Sequence, residues 1–287
     1  MQRADFRFFD RLRVRWAEVD MQKIVFNGHY LMYFDTAVAG YWRALALPYH
    51  DTMVELEGDL YVRKATVEYL GSARYDDVCD VGIRCQRIGS SSMLLHAALF
   101  RADQLLVHGE LVYVFADPAT QTSKPVPPAL REVLMAFEAG EPMLDWRQGG
   151  WGDVGTAARA VRQAVFVDEL GAPAELVHDA NDLDAVHVVA INRLGAPLAG
   201  GRLLAAEEGV SRIGRLAVLP PLRCTGIGRR LLDGLVDASK ARGDREVRVD
   251  ALGSAISFYE RAGFVPRGEA FEHAGVAHQA MWLKLAR

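Results

Sequence analysis

Two stretches of the chain place reactive side chains just ahead of a helical pattern. The first is Arg15-Trp16-Ala17-Glu18-Val19-Asp20-Met21-Gln22-Lys23-Ile24-Val25-Phe26-Asn27-Gly28-His29-Tyr30. A strand pattern ends in acidic residues, a short loop crosses, and an apolar helix starts near Asn27 or Gly28. The first amides of a helix have no partner inside it, and the helix dipole makes them a seat for developing negative charge. A thioester carbonyl held there is polarised. Asp20 stands where a carboxylate could attack that carbonyl or activate a water. The competing assignment is the ordinary one for an Asp before a helix, a cap or loop acceptor. His29 suits packing or hydrogen bonding better than proton transfer. Glu68 and Asp35 are further acids; Glu68 reads as a strand residue and Asp35 as a helix-surface residue that could pair across a subunit interface.

The second stretch is Arg223-Cys224-Thr225-Gly226-Ile227-Gly228, after a strand that Pro220-Pro221 stops and before an amphipathic helix. Glycines at a helix entrance let backbone amides approach an anion closely. Arg223, Arg229 and Arg230 add positive charge, which opposes the dipole by about 0.3–1 kcal/mol each unless a bound anion reverses the sign. Solvation explains Arg230 as well. Tyr259 lies downstream, and a core aromatic is its alternative assignment. For a general base the sequence offers Glu169, His187 and His278 without choosing.

The elements that must position these residues form two different patterns. In the first half, Leu12–Ala17 reads as a strand and Gly28–Leu47 as one long helix. Its Leu31, Phe34, Val38, Tyr41 and Leu45 recur at helical spacing, widened by Tyr30, Ala37 and Trp42. Four alternating runs follow at Leu60–Leu70, Cys79–Ile88, Met93–Ala102 and Leu105–Ala116, which make an antiparallel meander. A sheet wrapped on the central helix buries both. A short helix over Leu130–Phe137 closes this half. In the second half a helix over Ala157–Leu170 precedes strands near Val186–Asn192, Leu198–Ala205 and Ser211–Leu219. Then come a helix Gly226–Arg242, a strand Glu246–Ala251, a helix Ser254–Ala262 and a strand Ala277–Leu285. The Pro- and Gly-rich stretch between the halves sets the domains at 1–138 and 151–287 with a linker at 139–150.

Composition narrows the function. At 287 residues the chain is long enough for two cores. A formal net charge of −4 disfavours nucleic acid as a partner. Three cysteines, Cys79, Cys85 and Cys224, have neither disulfide-framework nor zinc-ligand spacing. No signal-like or membrane-spanning run is present, so the expectation is a cytoplasmic protein with no metal and no membrane partner.

The first half resembles the hotdog thioesterases of the 4-hydroxybenzoyl-CoA thioesterase and YbgC-like kind, in which an Asp precedes a V-[FY]-x-x-x-Y helix start. Asp20, Val25, Phe26 and Tyr30 match it, and Val67-Glu68-Tyr69-Leu70 with Gly89–Ser92 continue the likeness over about residues 8–137. The resemblance implies that Asp20 is catalytic, that the polarising amide is near Asn27, and that the protein is a homodimer or homotetramer through this domain. Met21-Gln22-Lys23 and His29 depart from the usual loop, which bears on the acyl group taken. The second half, about 151–287, resembles the GNAT acyltransferases of the ElaA-like branch. Its marks are the Arg223–Gly228 loop, Phe258-Tyr259-Glu260-Arg261-Ala262-Gly263-Phe264, Val165–Glu169, Asp182–His187 and Phe271–His278. It implies that the backbone of Leu216 and Val218 pairs with the pantetheine arm of coenzyme A. Arg223, Thr225, Gly226, Ile227, Gly228 and Arg229 would then hold its pyrophosphate, and Tyr259 would protonate the leaving thiolate. Cys224-Thr225 and Leu252 depart from the family pattern. The expected architecture is therefore an α+β hotdog domain, an antiparallel sheet around a long central helix, followed by an α/β GNAT domain. The expected substrates are an acyl-CoA and an amine acceptor. The alternative is a chain in which one domain only binds acyl-CoA or serves assembly.

Overall fold

A computed structural model describes residues 1–273 and 275–285, and the chain divides into two compact units, Met1–Met143 and Leu144–Arg287. Ala274, inside the Phe271–His278 stretch, lies outside the described residues. The elements of the first unit are β1 (Phe8–Arg13), α1 (His29–Ala44), α2 (Tyr49–Glu55), β2 (Asp59–Tyr69), β3 (Val78–Ile88), β4 (Ser92–Arg101), β5 (Gln104–Ala116) and α3 (Pro128–Ala139). They form one antiparallel five-stranded sheet in the order β1-β3-β4-β5-β2, the hotdog arrangement the sequence implies.

Helix α1 is the core of this unit. Tyr30, Tyr33, Phe34, Ala37, Val38, Tyr41 and Trp42 are all buried. Leu31, read as part of the stripe, is instead exposed, because Tyr33 takes the inward position and turns the buried face. The helix lies close to its sheet where side chains are missing. A Cβ on Gly109 would come within 2.2 Å of the Thr66 carbonyl oxygen and 3.2 Å of the Phe34 ring. The strand expected at Leu12–Ala17 begins and ends earlier, at Phe8–Arg13, and Trp16–Glu18 curls into a 3-10 turn. Helix α1 stops at Ala44, and Pro48 caps the separate short helix α2.

The second unit comprises β6 (Leu144–Gly149), α4 (Trp151–Arg162), α5 (Ala174–Val177), β7 (Val186–Asn192), β8 (Pro197–Glu207), β9 (Val210–Val218), α6 (Ile227–Ala241), β10 (Glu246–Leu252), α7 (Ile256–Arg261), β11 (Val265–Pro266), β12 (Phe271–His273) and β13 (Val276–Lys284). Its mixed sheet runs β11-β13-β10-β9-β8-β7-β6, with β12 on β13. Two expectations need correction. Residues 139–150, read as a linker, contain β6, which pairs with β7 from Leu144↔Asn192 to Gly149↔His187. Helix α4 starts at Trp151 rather than Ala157, takes Gly152 and Gly155 into its first turns, and continues as a π-helical segment over Gln163–Glu169.

One pairing in this sheet matters most. Strands β9 and β10 run parallel and pair only from Val210↔Glu246 to Ile213↔Val249. Beyond Ile213 they part, and β10 continues against β13 alone. Arg215 sits at the parting with φ 55°, where β9 also shifts register against β8. Helix α6 packs its Leu235 against Gly201 of β8, which fixes the helix entrance beside the end of β9. No helix among the described residues is long and apolar enough to cross a membrane.

Gly109→Ala is expected to lose about 1–3 kcal/mol of stability through overpacking against backbone, read as a lower urea midpoint. Gly152→Ala, whose added methyl meets open space in α4, is expected to be neutral or stabilising by up to about 1 kcal/mol.

Candidate functional site

In the first unit the loop from Val19 to Val25 closes on itself through an isolated antiparallel bridge between those two residues. Asp20 sits at its corner. Its amide donates to the Ile24 carbonyl at 2.9 Å, and its carboxylate accepts from the Gln22 amide at 2.8 Å. The carboxylate is therefore held by its own loop, half-buried, and does not cap α1, whose cap residue is Gly28. Asn27 is exposed, and its carbonyl accepts from the Tyr69 hydroxyl at 3.2 Å. The Asn27 and Gly28 amides make no hydrogen bond among the described residues, so this entrance keeps donors available to a ligand. Trp16, Met21, Phe26 and Met32 remain exposed on the loop and the first turn of α1.

The loop is anchored by a residue to which the sequence alone assigns no role. Glu18 is only 4% exposed. It accepts from the Tyr33 hydroxyl at 2.6 Å, the Arg15 amide at 2.7 Å and the Arg15 Nε at 2.6 Å. Burial alone would raise the Glu18 carboxyl, but the Tyr33 and Arg15 donors hold it below its ordinary value. Its backbone carbonyl accepts from the Phe26 amide, which ties the far side of the loop to the same point. An acidic residue three after an Arg and fifteen before a helical Tyr is a weak signal, visible only once the loop is known to fold back. Nearby, Tyr30 accepts from the Ala73 amide at 3.0 Å. His29 packs on Phe26 and Met32. Glu68 pairs with His108 on the sheet surface at 3.5 Å, and burial together with the Asp35 carboxylate pushes the Tyr113 hydroxyl up to about 12. The side-chain partners of these three lie elsewhere than Asp20.

In the second unit the parting of β9 from β10 leaves the main chain of Leu216 to Val218 facing no strand on that side among the described residues. That edge runs into Pro220–Leu222, then into a left-handed turn at Cys224 (φ 63°) and Gly226 (φ 90°), and so to the first turn of α6. The loop keeps a left-handed step at a residue with a Cβ, a conformation that costs about 1–2 kcal/mol. The Thr225 hydroxyl donates to the Leu222 carbonyl at 2.6 Å and fixes the turn. Gly228 brings three elements together: a Cβ there would lie 3.5 Å from Val218 and 3.8 Å from Phe258. Tyr259 follows Phe258, its ring buried against Phe258 and Phe264. Burial pushes its hydroxyl up to about 12, so it stays protonated at neutral pH, and it makes no hydrogen bond among the described residues.

The arginines are less available than the sequence suggests. Arg223 lies bidentate on Glu169 at 2.7 and 2.5 Å and donates from Nε to the Val218 carbonyl at 3.1 Å. Its hydrogen bonds in turn lower Glu169, whose two carboxylate oxygens are both engaged by that guanidinium. Arg229 pairs with Asp233 and reaches the Arg261 carbonyl, and Arg230 stacks over Trp146. An anion placed at this entrance would therefore meet chiefly backbone donors, with Arg223 as a strut of the loop. His187 is fully buried, with Nε2 on the Asp182 carbonyl at 2.9 Å and burial holding its pKa down; it is a structural histidine. A buried network centres on Asp182, which takes Arg162 at 2.8 Å and Arg202 at 2.7 Å, while Asp179 takes Arg202 at 2.7 Å and Arg215 at 3.2 Å. It spans residues far apart in sequence, and no local spacing announces it.

Comparison with known proteins agrees with this division. A family model described as a thioesterase-like superfamily matches residues 14–134, and one described as an acetyltransferase (GNAT) domain matches residues 159–285. The "Uncharacterized N-acetyltransferase YjcF" of Bacillus subtilis (strain 168) is 30% identical over 122 residues, 42% of this chain and 86% of that protein. Among solved structures, a thioesterase from Thermus thermophilus complexed with coenzyme A and Zn is 27% identical and covers 48% of this chain and 98% of its own, at a TM-score of 0.42. Slr0204, a 1,4-dihydroxy-2-naphthoyl-CoA thioesterase from Synechocystis, is 15% identical and covers 45% of this chain and 95% of its own, also at 0.42.

Because the folded Glu18 carboxyl lies below its unfolded value, its contribution to stability is present above the unfolded carboxylate pKa, about 4.3, and is lost as pH falls through the folded value. Glu18→Gln is expected to be destabilised relative to wild type at pH 7, with the difference shrinking as pH falls below the unfolded value and through the folded one, measured by urea unfolding. Tyr33→Phe, which strips one donor from a buried carboxylate, is expected to cost about 1–3 kcal/mol at pH 7.

Proposed function

We propose, for a chain that belongs to the thioesterase-like superfamily over residues 14–134 and to the GNAT acetyltransferases over residues 159–285, that one polypeptide acts on acyl-CoA at two separate sites. The first unit hydrolyses an acyl-CoA thioester. The second transfers an acyl group, acetyl in the simplest case, from coenzyme A to an amine. The observation that carries this reading is the strand edge from Leu216 to Val218 running directly into the glycine-turned entrance of α6. It offers an extended amide-containing arm a strand to pair with, and a pyrophosphate a set of backbone donors at its end.

In the first unit the thioester carbonyl lies at the Asn27 and Gly28 amides, with Asp20 as base or nucleophile. As base, Asp20 takes a proton from water while the water oxygen bonds the carbonyl carbon. As nucleophile, its oxygen bonds that carbon and water then cleaves the anhydride. Either way the carbon–sulfur bond breaks, and the products are the free acid and coenzyme A. The loop that presents Asp20 is held on one side by Glu18, so the carboxylate is positioned before substrate arrives. The apolar side chains left exposed there and the open outer edge of β2, with Val62, Tyr69 and Leu70 exposed, suit coverage by a second copy of the chain, making the working unit at least a homodimer.

In the second unit the amine, after losing a proton, bonds the thioester carbon. The carbon–sulfur bond breaks, the departing thiolate takes a proton from Tyr259, the nitrogen gives up its remaining extra proton to solvent, and the Tyr259 oxygen regains a proton from solvent. A hydroxyl raised to about 12 does not ionise at working pH and so carries the proton it is to give.

Asp20→Asn is expected to lower acyl-CoA hydrolysis by at least about a hundredfold, with fold and acyl transfer unchanged; hydrolysis retained in this variant removes Asp20 from the role. Tyr259→Phe is expected to lower kcat for N-acetyl transfer about 100-fold or more without changing acetyl-CoA affinity. A loss of affinity instead would make Tyr259 a binding residue.

A further inference from the structure

A cavity of about 290 Å³ opens on the sheet face where β9 and β10 part, wholly within the second unit. Its wall brings three guanidiniums, Arg202, Arg212 and Arg215, against two carboxylates, Asp179 and Asp250. Positive charge is therefore in excess there, and the carboxylates are already committed. Asp179 is shared by Arg202 and Arg215. Asp250 takes Arg212 at 2.8 Å and also Arg248, from outside the wall, at 2.9 Å.

Two features point from this surplus to a ligand. Arg202 is 6% exposed and its Nε has no hydrogen-bond partner among the described residues, although a buried donor left without a partner is costly. That nitrogen lies under Gly214: a Cβ at this position would stand 3.9 Å from it. Gly214 is the first residue of β9 past the last pair with β10, so the space its side chain would fill belongs to the cavity. The second feature is Arg212, whose side chain is half exposed and, among the described residues, makes one ion pair, with Asp250; a guanidinium has five donors in a fork.

Resting on the acyltransferase reading above, we propose that this cavity holds the acceptor, and that the acceptor is a small amine carrying its own anionic group, a carboxylate or a phosphate, recognised by Arg212 and Arg202. Its anionic end seats on the guanidiniums. Its amino group then faces the parting of β9 and β10, beyond which the Leu216–Val218 edge lies. The transfer is the one given above: a nitrogen–carbon bond forms, the carbon–sulfur bond breaks, Tyr259 supplies the proton to sulfur, and the acceptor's anionic group is unchanged.

The test uses the full chain with acetyl-CoA and two matched pairs of amines, tyrosine with tyramine and glucosamine 6-phosphate with glucosamine. N-acetylated product is read by mass spectrometry, because thiol release would also report hydrolysis. In at least one pair the anionic member is expected to have a kcat/KM about tenfold or more above its partner, the scale of a charge-assisted contact. The productive pair separates carboxylate from phosphate recognition. Arg212→Gln, at an exposed position that the fold does not need buried, is expected to erase that preference by raising KM for the anionic member and leaving its partner unchanged. Equal or inverted preference in both pairs overturns the proposal, as does an Arg212→Gln effect shared by both members. Acetyl-CoA bound in a direct titration with no product from any of the four amines overturns the acceptor assignment and leaves the coenzyme A site standing. Absence of acetyl-CoA binding overturns the reading on which the proposal rests.

Discussion

A backbone amide or carbonyl that the fold does not pair must find another partner, and the proposed function places the chemistry of this chain where its two units leave such groups open. In the second unit the parallel pairing of β9 with β10 ends at Ile213 and Val249, and the following strand edge leads to the first turn of α6. In the first unit the loop across Val19–Val25 delivers the chain to α1 with the Asn27 and Gly28 amides uncommitted. The two entrances share a logic and nothing else in sequence or topology. Both present donors at a helix N-terminus, and in the proposed function each works with an ionisable oxygen: a carboxylate held by its own loop, and a buried phenol with its pKa raised.

Each entrance needs a brace, and the braces differ because their surroundings do. Glu18 works from inside, a buried carboxylate with three donors that fixes the loop to α1 through Tyr33. Removing one donor leaves a desolvated charge, so this is a rigid point. Arg223 works from outside, spanning Glu169 and the Val218 carbonyl at a half-exposed site, where ion pairing contributes little energy but does orient the loop. The Arg162–Asp182–Arg202–Asp179 network sits between these extremes. Its charges are buried and nearly balanced, and the excess guanidinium falls at the cavity wall.

Much of this was legible in the residues. Period-two alternation marked β2 to β5, and the helical stripe marked α1 and α6, because burial on one face writes a pattern into the chain. Asp20, Gly226, Gly228 and Tyr259 were singled out through the family likeness of their motifs, and the roles given to them are proposals. Strand β6 was not: Asp145, Trp146, Arg147 and Gln148 lie on the sheet's edge, carry little apolar alternation, and are flanked by the glycines and proline that suggest a linker. The start of α4 was hidden by the same glycines, since a helix fixed by tertiary packing tolerates them. Leu31 was misplaced because Tyr33 supplies the buried ring at a neighbouring angle. Glu18 and the Arg202 network escaped because their partners lie 15 to 36 residues away, beyond what any local spacing encodes.

The most direct test of the account is amide hydrogen exchange of the intact protein with and without coenzyme A, followed by mass spectrometry at peptide resolution. If the open backbone groups are the ligand seats, exchange slows on adding coenzyme A in peptides covering Leu216–Val218 and Ile227–Arg229, and adding a non-hydrolysable acyl-CoA also slows Asn27–Gly28. Protection confined to other segments, with these three unchanged, would contradict it.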